Sequence, residues 1–203
     1  MNKIKPYLLL ALVLFVAACS SSGPATSYYT LFSKPLASHA QVEAVNDKPS
    51  SLVTLGVGPV VLTGYLKNPS IVSRTDSQQL KVSGSHAWAE SLDEAMARVL
   101  AIELDERLGQ LSVQSFPWDS RARPQLQLRI DVQQFDGIRG GDVALHLQWS
   151  LFDIKANKEV ARGSYHQQEQ SAESYAAYVK TLNELLLQFS QDLAAKLLVL
   201  EAK

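Results

Sequence analysis

The side chains best suited to metal ligation, nucleophilic attack or general-base work are one cysteine, Cys19, and four histidines, His39, His86, His146 and His166. Their spacing supports none of these chemistries. No CxxC pair, HExxH or His/Cys cluster occurs, so no metal site is read, and a lone cysteine cannot close an intramolecular disulfide. His146 falls on the polar side of a strand pattern, where an imidazole is simply solvated. Gly56-Val57-Gly58 is followed by Pro59 and a strand-like run, not by the third glycine and helix of a dinucleotide turn. Ser83-Gly84-Ser85 lacks the flanking glycines of a nucleophile elbow. The helical carboxylates Asp93, Glu94, Asp105 and Glu106 read as a solvated face. This pattern points to binding or structure and away from catalysis, and the chain is not expected to be an enzyme.

Lys and Arg total 19 against 20 Asp and Glu, with no long run of one sign, so there is no electrostatic footprint for nucleic acid. With 203 residues, 46% of them hydrophobic, the chain can bury a core of its own as one domain.

The context of Cys19 gives it a different use. Lys3 and Lys5 precede an apolar run from Tyr7 to Phe15, followed by Ala17 and Ala18. That run is shorter than the roughly 20 residues that span a bilayer, so it reads as an export signal over residues 1–18. Val16-Ala17-Ala18-Cys19 resembles the bacterial lipobox, whose cysteine is acylated on sulfur, freed by cleavage and acylated again on its new amine. Each buried methylene contributes about 0.8 kcal/mol, so several acyl chains of palmitate type make a durable anchor. These covalent chains are the only added group expected. Ser20 becomes the second mature residue; a serine there, instead of the aspartate that favours inner-membrane retention, predicts the outer membrane. Residues 19–27, rich in serine with Gly23 and Pro24, read as a short flexible tether.

A positioned domain is expected over residues 28–203. Tyr28 to Phe32 reads as a strand, Ser33 to Ser51 as a long connection, and Val53 to Val61 as a second strand. Ile71–Arg74 and Leu80–Val82 read as a hairpin around Asp76 and Ser77. Leu92, Ala95, Met96, Val99, Leu100 and Ile102 form the apolar face of a helix, with Ser91 and Glu94 in a capping-box pattern and Gly109 as its stop. A short strand follows at Val113. Leu126 to Val132 and Val143 to Leu151 alternate at period two across a glycine-rich turn, as an antiparallel pair with one wet face requires. Another strand runs from Val160 to Gln167. The last helix carries the stripe Tyr175, Tyr178, Val179, Leu182, Leu185, Leu186, Phe189 and Leu193; its polar side lacks the Lys/Arg excess of membrane-surface helices, which predicts packing on a sheet. The fold class expected is α+β: a single domain with a largely antiparallel sheet and two main helices packed on one face.

Several segments in series resemble the ABC-type transport auxiliary lipoprotein family. They are the lipobox with Cys19, Ser27-Tyr28-Tyr29-Thr30-Leu31, Leu55 to Val60, Tyr65-Leu66-Lys67-Asn68-Pro69-Ser70-Ile71-Val72-Ser73-Arg74, and His86-Ala87-Trp88-Ala89-Glu90-Ser91-Leu92. The sequence departs from the family pattern at Ala87, usually arginine, at Ser91, usually proline, and at Lys67, usually acidic. The resemblance implies a periplasm-facing lipoprotein of the outer membrane. Its partners would be an MCE-domain protein and an inner-membrane permease-like protein, which together carry lipids across the envelope and support membrane integrity. The chain would act as accessory or docking subunit, and a closed ring of copies would suit a tubular partner. The alternative is a structural lipoprotein that stabilises another outer-membrane assembly complex.

Within that reading the run Val60 to Leu66, bordered by Pro59 and Pro69, is either an exposed apolar loop that meets the partner or a loop folded back into the core. The partner-binding candidates are Leu62, Tyr65, Leu66 and Pro69. Trp88, at the start of the first helix, and Trp149 are expected in the core; Trp118 is open.

Overall fold

The computed structural model describes residues 25–33, 53–119 and 121–201. Cys19, Ser20, the signal segment, most of the tether and most of the Ser33–Ser51 connection lie outside the described residues.

Among the described residues, eight strands and two long helices make an α+β domain. The strands are β1 (Ser27–Tyr29), β2 (Thr54–Leu62), β3 (Ser70–Arg74), β4 (Leu80–Trp88), β5 (Ser112–Ser115), β6 (Leu126–Gly137), β7 (Asp142–Asp153) and β8 (Lys158–Gln170). The helices are α1 (Leu92–Arg107) and α2 (Tyr175–Glu201), and a 3-10 turn occupies Gly64–Lys67. The strands form two sheets, one of order β1-β4-β3 and one of order β5-β2-β6-β7-β8. The α+β class with two main helices is as expected; the strands, however, divide into two sheets, and both include parallel neighbours. The hairpins β3/β4, β6/β7 and β7/β8 are antiparallel, but β1 runs parallel to β4, and β2 runs parallel to both β5 and β6. Local alternation identifies strands and tight hairpins; it carries no record of the long crossovers through β3, β4 and α1 that make β2 a central parallel strand.

The two glycines of β2 now have a physical reason. A Cβ at Gly56 would stand 2.5 Å from Pro124 Cγ and 2.8 Å from Trp118 Cζ3. Gly58 has φ of 119°, and a Cβ there would meet that of Phe116 at 2.7 Å. Trp118 and Phe116 pack edge to face with centroids 5.2 Å apart. Trp118 and Phe116 therefore cover the outer face of β2, with Gly56 making room for the first and Gly58 for the second.

Both helices lie on one face of the five-stranded sheet, α1 over β2 and β5 and α2 over β7 and β8, and they touch each other. The core between them holds Leu128, Ile130, Val132, Leu145, Leu147, Leu151, Leu100, Leu104, Leu182, Leu185, Leu186 and Phe189, all buried. The α2 stripe is thus a core face. Among the described residues no helix is long and apolar enough to cross a membrane. Ser91 sits at the N-cap of α1 with extended dihedrals, yet its side chain makes no capping bond, which corrects the capping-box expectation. Trp88 is 8% exposed and ends β4, so it is a core residue on a strand and not on the first helix.

Candidate functional site

The run from Val60 to Pro69 divides at the end of β2. Thr63 fixes the exit: its N–H and its hydroxyl both donate to the Val132 carbonyl, at 3.1 and 2.9 Å. The chain then closes the 3-10 turn, with the Leu66 N–H on the Thr63 carbonyl at 2.9 Å. This geometry points Leu66 inward, and Leu62 and Leu66 are both buried. Of the two alternatives for this run, these two residues take the second and fold back into the core: leaving them in water would waste their transfer free energy while Trp88 and Leu92 stand ready to cover them. Tyr65 is half-buried, and Pro69 is exposed.

The folding back leaves a groove of about 510 Å³ between the 3-10 turn, the end of β4 and the start of α1. Leu62, Leu66, Trp88 and Leu92 form its apolar floor; Lys67, Asn68, Pro69, Glu90, Ser91 and Asp93 supply polar and exposed borders. The Trp88 N–H donates to the Pro69 carbonyl at 2.8 Å, which ties the two walls by main chain, while the Ser70 N–H on Asn68 Oδ1 at 2.9 Å braces the turn side. Glu90 is held in place by donors from Thr30 Oγ1, at 2.6 Å, and the Arg98 guanidinium. Those two donors, the threonine hydroxyl first, keep its carboxyl below the usual range. Arg98 also donates to the Leu31 carbonyl at 3.1 Å, linking the rim to the chain leaving β1.

Directly behind the groove, a polar seam joins the two sheets. Asp136, fully buried on β6, accepts from Arg74 Nε at 2.7 Å and Nη2 at 3.2 Å, and from Gln134 Nε2 at 3.0 Å. Arg74 Nη2 also donates to the Tyr65 hydroxyl at 3.4 Å. Burial and then the nearby Asp136 push the Tyr65 phenol well above its usual range. The fully buried Tyr178 of α2 donates to the Val72 carbonyl and accepts from the Gly137 N–H, both at 3.0 Å. One tyrosine thus bolts β3 to β6, while burial raises its own phenol.

Of the four candidates, three line or border the groove and the fourth, Tyr65, turns away into the seam. Glu90, Asp93 and Lys67 at the rim escaped sequence reasoning as site residues. The signal available was that the Tyr65–Arg74 and His86–Leu92 segments both carried the family pattern; nothing local said that they meet. Among the described residues no group of three or more His, Cys, Asp or Glu is placed to hold a metal ion. The arrangement offers a recessed apolar floor and a mixed-charge border, which suits recognition of a protein segment.

The model of the ABC-type transport auxiliary lipoprotein component matches residues 29–194. None of the curated proteins matches the chain. Two crystal structures share the fold. One, of an uncharacterised protein, is 23% identical with a TM-score of 0.68, over 85% of this chain and 99% of its own. The other, protein XCC0632 from Xanthomonas campestris, is 18% identical with a TM-score of 0.67, over 87% of this chain and 97% of its own. With its fold shared by these structures and most of its length matched, the chain belongs to the family of ABC-type transport auxiliary lipoprotein components.

Proposed function

We propose that this lipoprotein is anchored in the outer membrane through acyl chains on Cys19, faces the periplasm, and docks the MCE-domain protein of an intermembrane lipid transport system. Ser20 directs the sorting and the serine-rich tether gives the domain its reach. The partner seats an apolar side chain on the Leu62, Leu66, Trp88 and Leu92 floor, while Lys67, Glu90 and Asp93 set its orientation. The chain performs no chemistry of its own; the permease-like subunit and its energy source lie in the inner membrane, and copies of the domain surround the partner as a ring.

The observation that carries this reading is that two segments of family pattern, Tyr65–Arg74 and His86–Leu92, separated by 11 residues, form the two walls of one groove. Burial alone would need no such recess. A photo-crosslinking residue at Pro69, exposed on the rim, is the direct test. Crosslinking to the MCE-domain protein is expected, with its loss on Lys67→Glu. Crosslinks only to an unrelated outer-membrane assembly component would refute the docking assignment. For the anchor, Cys19→Ala is expected to leave an unacylated product that no longer fractionates with the outer membrane.

A further inference from the structure

His146 of β7 and His166 of β8 are register partners, directly opposite each other in the antiparallel ladder. Their neighbours Leu145 and Leu147 point into the core, so alternation puts both imidazoles on the sheet face away from the helices. His166 is exposed and His146 partly so. The ring centroids are 5.3 Å apart and the planes cross at 84°. Among the described residues no hydrogen bond occupies a nitrogen of either ring.

We infer that His146 and His166 form a two-histidine site for a divalent transition metal of zinc type. The spacing is the argument. Two imidazoles that share a tetrahedral ion at about 2.1 Å per nitrogen hold their ring centroids about 5 Å apart, close to the separation already present. Both ligands stand on adjacent strands of a hydrogen-bonded ladder, so the backbone fixes them before any ion arrives. The cross-strand neighbour of His146 on β6 is Gln134, whose Nε2 donates to Asp136. The two histidines are the protein ligands assigned; water fills the remaining positions, so the site stays open. Imidazole favours zinc, nickel and copper, whereas magnesium and calcium prefer oxygen. The ion would clip the outer strand β8 to β7.

The test is a titration of the full chain in detergent with Zn2+ alone, read by calorimetry and by imidazole ¹⁵N NMR. One equivalent is expected to shift both rings together and to raise the thermal unfolding midpoint, while Mg2+ does neither. His146→Asn and His166→Asn, which keep a polar group on a wet face, should each weaken binding by about tenfold or more. Circular dichroism checks that both variants fold. Zinc binding of equal strength in both variants, as at Cys19 or His39, overturns the assignment, as does a titration in which neither ring responds.

Discussion

Tyr65 and Leu66 are consecutive, yet they serve different regions. Tyr65 enters the seam with Arg74, Asp136 and Tyr178, where every group named is hydrogen-bonded and Asp136 and Tyr178 are fully buried. Leu66 floors the groove, where the apolar surface is recessed but the border is solvated. The seam holds two mixed sheets in a fixed relation; the groove displays what that relation creates. A buried polar cluster tolerates little change because each partner left behind is stranded away from water. A groove rim tolerates change in stability terms, because its charges already face solvent.

That difference sets the ranking of expected effects. Asp136→Ala leaves the Arg74 guanidinium without its carboxylate and is expected to cost about 3–5 kcal/mol of unfolding free energy. Chemical denaturation measures it; a loss under 1 kcal/mol would mean that the seam is not what holds the sheets together. Tyr178→Phe keeps the ring and removes only the hydroxyl. It strands the Gly137 N–H and the Val72 carbonyl, with an expected cost of about 1–3 kcal/mol. Because the seam phenols ionise only above the usual tyrosine range, folding favours their protonated forms. The stability they contribute is complete below pH of about 10 and declines as pH rises toward their folded-state values. The Tyr65→Phe variant should lose less stability on alkaline titration than the parent protein.

The fold was legible wherever structure is local. Leu126 to Val132 against Val143 to Leu151 reads directly as a hairpin, and the structure pairs Leu128 with Leu151, Ile130 with Trp149 and Val132 with Leu147. The α2 stripe reads equally well, because 3.6-residue periodicity records which side is covered. The parallel neighbours of β2 were illegible. Gly56 and Gly58 look like an uncovered outer face, since a glycine cannot show in its side chain that Trp118 or Phe116 lies over it. The groove was half legible: Leu62, Leu66 and Pro69 stand out in the sequence as candidates, but Trp88 reads as the start of a helix, and its Pro69 contact is a long-range main-chain bond. Arg74 and Asp136 carry no pattern that links them across 62 residues.

The smallest expected effect separates the two regions most cleanly. Glu90 lies on the rim with its side chain 34% exposed beside a 40% exposed Arg98, so its donors are partly screened by solvent and Glu90→Gln should shift the unfolding midpoint little. Its carboxyl is nevertheless held below the usual range, so what stability it adds is present above the unfolded-state value and is lost as pH falls through the folded one. If docking depends on the rim charge, partner binding measured at neutral pH should fall in Glu90→Gln while the melting temperature stays within about a degree of the parent. The opposite outcome, a large melting shift with binding intact, would make the rim part of the seam's mechanical work and leave recognition to the apolar floor alone.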